Sequence, residues 1–174
     1  MEQQSEAVSR QDIAESYFRK GYNCSQSVFV AFAKDYGFDE ETALKISASF
    51  GGGLGRMREV CGCVSAMAII AGLETGSTTE NDAAGKQKNY EVMQHLANEY
   101  KKISGGSIIC RELLGLDNAK GEQEGSSAGK SDESSSPKPS DRTEKYYQKR
   151  PCIQLVRDAC TIIENEFFGG KSYE

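Results

Sequence analysis

Residues 51–73 read GGGLGRMREVCGCVSAMAIIAGL, a glycine-rich loop followed by an apolar segment with no charge after Glu59. Three consecutive glycines favour a turn, and an uncharged segment of this length is typical of a helix buried on most sides. The pattern predicts a helix that begins near Glu59 and lies at the centre of a bundle. Cys61 and Cys63 then lie at the start of that helix, where backbone amides have no partner within the helix.

The rest of the chain reads as helices separated by glycine breaks, with almost no two-residue alternation. Further helices are predicted over residues 10–20, 24–37, 39–50, 80–102, 107–115 and 151–168. Asn23 and Asp39 are suited to cap two of them, and Gly21 is suited to end the first. The predicted fold class is all-α, with residues 1–174 forming one single-domain helical bundle.

Residues 116–141 differ in composition from the rest of the chain. They are nearly free of apolar side chains and rich in glycine, serine and charge. Such a segment cannot bury enough surface to offset its ordering entropy. We therefore expect a flexible loop there, inside the domain, because residues 151–168 are again amphipathic and must return to the core.

Charge and hydropathy exclude two classes of partner. The 174-residue chain has a formal net charge of -5, so its average surface repels polyanions and nucleic acid is not expected to bind. The longest apolar run, residues 64–73, is shorter than the roughly 20 residues of a membrane span, so no membrane insertion is expected. The first residues lack the basic-then-apolar layout of a secretory signal, and we expect a cytoplasmic protein.

The sequence contains six cysteines: Cys24, Cys61, Cys63, Cys110, Cys152 and Cys160. The cytosol keeps most structural disulfides reduced, so metal binding, redox chemistry and burial remain as explanations. No two of the cysteines form the Cys-x-x-Cys pairing of zinc ribbons or thioredoxin-like sites. Their spacing alone is therefore a weak signal.

Their positions relative to the predicted helices say more. Four cysteines lie at helix beginnings: Cys24, Cys61, Cys110 and Cys152. Unpaired N–H groups and the helix dipole stabilise a thiolate at such ends. If the four ends converge, they form a pocket for an anionic, sulfur-ligated cofactor such as a 2Fe–2S centre. Arg56, Arg58 and Arg111 are candidates to tune its potential, whereas plain burial of each cysteine is the alternative.

Four segments also carry a resemblance: GYNCSQSVFVAF, FGGGLGRMREVCGCVSAMAIIAGL, CRELLG and PCIQLV. In this order they resemble the C_GCAxxG_C_C family of redox-active proteins, over nearly the whole chain outside residues 116–141. The family's four cysteines then fall on Cys24, Cys61, Cys110 and Cys152. The resemblance implies a helical redox domain, and related domains joined to c-type cytochromes imply an iron–sulfur centre. The chain has no Cys-x-x-Cys-His, so no covalent haem is expected.

The central motif departs from the family at two positions, where Cys63 replaces an alanine and Ala66 replaces a glycine. Cys63 is two positions after Cys61, about 200° around an ideal helix, so both cannot face one site unless the turn is irregular. Cys63 could be a spare ligand, a resolving thiol for Cys61 or a core residue. We favour a position in the core or next to the ligands of the site. Cys160 lies about 12 Å along an ideal helix from Cys152, and burial is expected for it.

The first prediction is a small iron–sulfur protein that passes single electrons, with 2Fe–2S favoured over 4Fe–4S. Its ligands are predicted to be Cys24, Cys61, Cys110 and Cys152. The alternatives are a thiol–disulfide redox protein, in which Cys61 attacks and another cysteine resolves the mixed disulfide, and a structural zinc protein. An electron carrier is favoured over a stand-alone enzyme. The redox partner is not specified by the sequence, and a homodimer stays open.

Two other classes of site are disfavoured. The triple glycine is not followed by Gly-Lys-Ser/Thr and no strand is predicted before it, so it does not match a P-loop. A better role for these glycines is to let the backbone pass close to a sulfur, with a plain tight turn as the alternative. His95 is the only histidine and lies on a polar helix face, which argues against a serine or cysteine hydrolase.

Overall fold

The computed structural model describes residues 8–116 and 136–169. Within these residues the chain forms α-helices and no strand, which confirms the all-α prediction. The helices are α1 (Arg10–Arg19), α2 (Cys24–Val30), α3 (Glu40–Ser47), α4 (Gly62–Thr75), α5 (Ala83–Ile103), α6 (Cys110–Leu113), α7 (Glu144–Lys149) and α8 (Cys152–Ile163). Most of the loop predicted over residues 116–141 lies outside the described residues.

The predicted caps are present at two helix beginnings. The Asn23 side chain accepts a hydrogen bond from the Gln26 amide, and the Gln26 side chain accepts one from the Asn23 amide, which makes a capping box. The Asp39 carboxylate accepts a hydrogen bond from the Thr42 amide at the start of α3. Because the capping box fixes the start of α2, it also fixes the position of Cys24.

Two predicted helices are too long. The helix expected over residues 24–37 is wrong in its second half, because α2 ends at Val30 and a 3₁₀ turn, Ala33–Tyr36, follows. That turn places the Asp35 carboxylate 2.5 Å from the Arg10 guanidinium of α1. The helix expected over residues 107–115 is reduced to α6, since the backbone before Cys110 pairs with another segment instead of coiling.

Helix α4 begins at Gly62 rather than near Glu59, and Cys61 is its N-cap residue. The preceding chain cannot be helical, because Leu54, Arg56 and Arg58 all have positive φ. The expectation that Cys61 lies inside the first helical turn is therefore wrong by one residue. This shift decides which way the Cys61 side chain points.

Helix α7 was not anticipated from the sequence. It follows the low-complexity segment of the sequence. Thr143 caps it, and the Thr143 side chain accepts a hydrogen bond from the Tyr146 amide. The amphipathic stretch 151–168 is confirmed as α8 followed by a π-helical turn, Glu164–Phe168. The helix predicted from Glu80 begins three residues later, at Ala83.

Helix α4 lies at the centre of the bundle, as its uncharged sequence predicted. It packs against α2, α5 and α8, and Met67 and Ile70 have no exposed surface. Helix α1 packs on α2 and α8, whereas α5 buries only Leu96 and Tyr100 fully and covers the outside. No helix within residues 8–116 and 136–169 combines the length and apolarity that a bilayer crossing requires.

Candidate functional site

The four cysteines singled out from the sequence line one small cavity. Its walls are formed by Cys24, Gly52, Gly53, Cys61, Gly62, Cys110, Leu113, Leu114, Cys152 and Leu155. The volume open to water is about 20 Å³, which suffices for about one water molecule. The structure therefore brings together side chains that are remote from each other along the chain.

Cys61 and Cys110 are brought together by backbone pairing. The Cys61 amide donates to the Ile108 carbonyl at 2.8 Å, and the Cys110 amide donates to the Glu59 carbonyl at 2.6 Å. Val60 and Ile109 form an antiparallel bridge between these bonds. The pairing holds the starts of α4 and α6 side by side, a long-range contact that helix signals in the sequence do not reveal.

Cys24 and Cys152 are brought together by helix packing. Each is the first residue of its helix, and α2 packs against both α4 and α8. Cys24 and Cys152 line the same cavity, and the Cys152 and Cys63 thiols both act on the pKa of Cys24. Cys24 is partly exposed, whereas Cys152 is 8% exposed. Of this pair, Cys24 thus has the larger exposed fraction as a residue.

Cys63 is completely buried and contacts both Cys24 and Cys61. The 200° separation expected from the sequence assumes that both residues are helical, but Cys61 is an N-cap with φ -55° and ψ 136°. The chain before Gly62 is therefore irregular, and both side chains reach the same region. Cys63 lies directly beside the sulfurs of the candidate site.

The thiols of Cys24, Cys63 and Cys152 differ in pKa. Contacts from the Cys152 and Cys63 thiols hold the pKa of Cys24 well below its usual range, and the Arg142 charge acts in the same direction. The same contacts raise the pKa of Cys152 and of Cys63, and burial adds to this effect. Loss of a proton is therefore favoured at Cys24 over Cys63 and Cys152.

A tyrosine that the sequence analysis did not single out is part of the site. The Tyr100 hydroxyl of α5 lies 3.3 Å from the Cys61 sulfur. Burial raises the pKa of Tyr100, so the phenol stays protonated and can donate. The pKa of Cys61 is lowered mainly by the Cys63 contact, with Tyr100 contributing. A buried phenol needs a hydrogen-bond partner, which is the signal that could have identified Tyr100.

Cys110 lies beside a buried cation. Arg58 Nη1 is 3.8 Å from the Cys110 sulfur, and Arg58 is 6% exposed. Burial raises the pKa of Cys110 to about 11, and the Arg58 contact opposes that shift. Of the other proposed tuning residues, Arg111 pairs with Glu59 at 3.0 Å and Arg56 lies in a neighbouring cleft.

The glycine loop passes close to these sulfurs. All five residues from Gly52 to Arg56 have positive φ. A Cβ added to Gly53 would lie 2.7 Å from both the Cys110 Cβ and the Glu59 nitrogen, and one added to Gly62 would lie 3.2 Å from the Cys24 Cβ. Glycine is thus required for the close approach of the backbone to two of the cysteines, as we expected.

Two remaining candidates lie outside the site. Cys160 is fully buried in the core on α8 and does not line the cavity. His95 is about half exposed, and its Nε2 is 3.3 Å from the Glu166 carboxylate. Neither position favours a role in sulfur or metal chemistry, in agreement with the sequence analysis.

Four thiols around one cavity are a donor set suited to iron–sulfur clusters or to zinc. The sulfurs are not at ligand positions, however. Within residues 8–116 and 136–169, no group of three or more His, Cys, Asp or Glu side chains is arranged to hold a metal ion. The site fits a thiolate-ligated metal by the chemistry and convergence of its cysteines, but the cavity between them is too small for a cluster.

A family model described as "Putative redox-active protein (C_GCAxxG_C_C)" matches residues 22–166 of the chain. The matched range contains all six cysteines. Neither a curated protein nor a solved structure matches the chain in the same comparisons.

Proposed function

The chain belongs to the C_GCAxxG_C_C family of redox-active proteins, and we propose that it carries single electrons on a 2Fe–2S cluster. The proposed ligands are Cys24, Cys61, Cys110 and Cys152. The observation that supports this proposal is that these thiols, from four separate elements, line a single cavity, and that Cys61, Cys110 and Cys152 are at most 8% exposed. Four thiolates are the usual ligand set of such a cluster.

Room for a cluster lies on one side of the cysteine cavity. The space between the sulfurs holds about one water molecule, so the contact between Cys24 and Cys152 must open. Cys24, Cys110 and Cys152 also line a larger cleft on the solvent side. Because the residues that line both spaces are these cysteines, Gly52 and Leu114, an outward movement of the cysteine side chains would enlarge the cavity.

Two side chains would set the electrostatics of the bound state. A cluster supplies one-electron chemistry when bound, and its negative charge is spread over the ligating sulfurs. Tyr100 can donate to the Cys61 sulfur, and Arg58 lies within reach of the Cys110 sulfur. Both contacts stabilise negative charge, so they favour the reduced form and raise the potential.

The test is metal and sulfide analysis of protein purified without air, with paramagnetic resonance before and after dithionite. About two iron and two sulfide per chain are expected, with visible absorption that dithionite partly bleaches and a resonance signal that appears on reduction. A colourless, iron-free anaerobic sample would contradict the proposal. About four iron per chain would contradict the 2Fe–2S assignment and retain the iron–sulfur function.

The contact between Cys24 and Cys152 favours a second candidate, thiol–disulfide exchange. The sequence analysis placed the attacking thiolate on Cys61, but Cys61 is 5% exposed and does not line the cleft on the solvent side, whereas Cys24 does. The Cys24 thiolate would attack a partner disulfide and release one partner thiolate. Cys152 would lose its proton and attack the Cys24 sulfur, which releases the second partner thiol and leaves a Cys24–Cys152 disulfide.

Metal content separates these candidates. Iron-free anaerobic protein that is oxidised by glutathione disulfide, with Cys24 linked to Cys152 in a peptide map, would support thiol–disulfide exchange. A colourless protein with about one zinc per chain and no reducible centre would support a structural zinc site.

A further inference from the structure

A cleft of about 430 Å³ lies on the solvent side of the cysteine cavity. Cys24, Cys110 and Cys152 line both spaces, so the cleft connects solvent to three thiols. Its volume is within the range of sites that hold small molecules. The cleft is therefore large enough for a ligand next to the sulfurs, whereas the cavity between the sulfurs is not.

The cleft is strongly basic in a chain that is acidic on average. Four of the chain's eight arginines line it: Arg56, Arg58, Arg142 and Arg150. Among its described lining residues there is no aspartate or glutamate. Burial lowers the pKa of Arg56, and the nearby charges of Arg58 and Arg150 act in the same direction. Gathering these cations costs free energy that a bound anion would offset.

Aromatic rings and a backbone carbonyl position two of these arginines. The Arg142 guanidinium lies 4.5 Å from the Phe18 ring and 4.7 Å from the Tyr146 ring, and its Nη2 donates to the Tyr22 carbonyl at 3.1 Å. The Arg150 guanidinium lies 4.6 Å from the Tyr146 ring. Stacking on a ring face leaves the N–H donors at the edge of a guanidinium available for a ligand.

Arg142 carries a second indication. Its Nη1 is enclosed and has no hydrogen-bond partner among the described residues. An enclosed donor without a partner costs free energy, and the cost is greater for a charged group. A ligand oxygen in the cleft would satisfy that donor.

We propose that this cleft binds a small molecule that carries phosphate, next to the sulfurs of Cys24, Cys110 and Cys152. Several guanidinium charges in one cleft match a compact group with more than one negative charge, and arginine binds phosphate oxygens with two donors at once. The proposal goes beyond electron carriage and does not require a cluster. If the arginines served only to balance the charge of thiolates or of a cluster, the cleft would bind no added anion.

Calorimetric titration of the full chain with inorganic pyrophosphate tests the proposal. One binding site per chain is expected. Replacing Arg142 or Arg150 by glutamine should weaken binding by about tenfold or more, because a hydrogen bond to a charged group contributes roughly 1.5–3 kcal/mol. Arg157→Gln is the matched control, since Arg157 pairs with Asp12 and Glu15 and lies outside the cleft.

Circular dichroism and thermal unfolding check that each variant is folded. If Arg142→Gln does not fold, Arg150→Gln decides the question, because Arg150 is partly exposed. The absence of saturable binding, or an equal loss of affinity in the Arg150 and Arg157 variants, would overturn the proposal. Citrate that binds as tightly as pyrophosphate would overturn the assignment to phosphate.

The titration is run on iron-containing protein and on iron-free protein. If the chain never incorporates iron but binds pyrophosphate, only the proposed electron-carrier function is contradicted. An iron–sulfur protein that binds no pyrophosphate would contradict only the anion site. The two proposals therefore fail separately.

Discussion

The hydroxyl of Tyr100 lies 3.3 Å from the sulfur of Cys61, and neither residue is more than 5% exposed. A donor next to a ligating sulfur stabilises the more negative, reduced form of a cluster. Tyr100→Phe removes the donor and keeps most of the ring volume. The midpoint potential should therefore fall, by roughly 40 mV if the differential contribution is about 1 kcal/mol.

A redox titration followed by paramagnetic resonance measures this change. Tyr90→Phe is the control, because Tyr90 lies on the same helix and is 61% exposed. An unchanged or higher potential in Tyr100→Phe would show that the hydroxyl does not act on the redox centre.

Two cysteines on α8 give a matched pair of variants. Cys152 lines the cavity, and Cys160 is buried in the core away from it. Cys152→Ser should lower the iron content and shift or bleach the visible absorption. Cys160→Ala should retain iron and lower the free energy of unfolding by about 1 kcal/mol. Equal iron content and identical spectra in both variants would exclude Cys152 as a ligand.

Local sequence signals predicted the parts of the site that depend on helix ends. Asn23 caps α2, and Pro151 precedes α8, so the positions of Cys24 and Cys152 at helix beginnings followed from residue types alone. The uncharged segment after Cys61 predicted a central helix, and α4 occupies that place. These features were predictable because each is set by residues within a few positions of the cysteine.

The features of the site that the sequence analysis did not predict depend on contacts between residues far apart in the sequence. Cys61 became an N-cap because the chain around Val60 pairs with Ile109, a partner almost fifty residues away. Tyr100 reaches Cys61 only because α5 packs on α4. Arg142 and Arg150 flank the short helix α7, which follows a low-complexity segment of the sequence. No local sequence signal therefore predicted that these arginines lie near the cysteines.

Substitutions of two glycines in the loop distinguish the cost of backbone strain from the cost of close packing. Gly53 and Gly55 both have positive φ, but a Cβ on Gly55 would have no atom within 4 Å, whereas one on Gly53 would meet Cys110 and Glu59. Gly55→Ala should cost about 1–2 kcal/mol of unfolding free energy from the left-handed backbone alone. Gly53→Ala should cost about 2–5 kcal/mol, because the collision with fixed atoms adds to the strain.

Chemical denaturation measures both glycine variants, and iron analysis accompanies it. Gly53→Ala should also lower the iron content, since the added methyl group presses on Cys110, and Gly55→Ala should not. Equal losses of stability in the two variants would mean that the close approach at Gly53 contributes nothing.

An ion-pair network between α1 and α8 should make stability depend on pH. Arg157 Nη1 lies 2.8 Å from the Asp12 carboxylate and 2.7 Å from that of Glu15. The pKa of Asp12 lies below its ordinary 3.8, chiefly through the Arg157 hydrogen bond. The pKa of Glu15 lies below its ordinary 4.5, chiefly through Arg19 and then through Arg157.

Both carboxyl groups have a lower pKa in the folded chain than in the unfolded chain. Their contribution to folding stability is therefore fully present when the pH is above their unfolded pKa values. It is lost as the pH falls through their lower folded pKa values. Arg157→Gln should therefore lower the melting temperature at pH 7, and the difference from the unmodified chain should shrink as the pH approaches about 3. Lys45→Gln is the control, since Lys45 and Glu41 are 73% and 76% exposed and such pairs contribute little. A difference for Arg157→Gln that stays constant from neutral to acid pH would show that lost packing, and not the ion pairs, causes it.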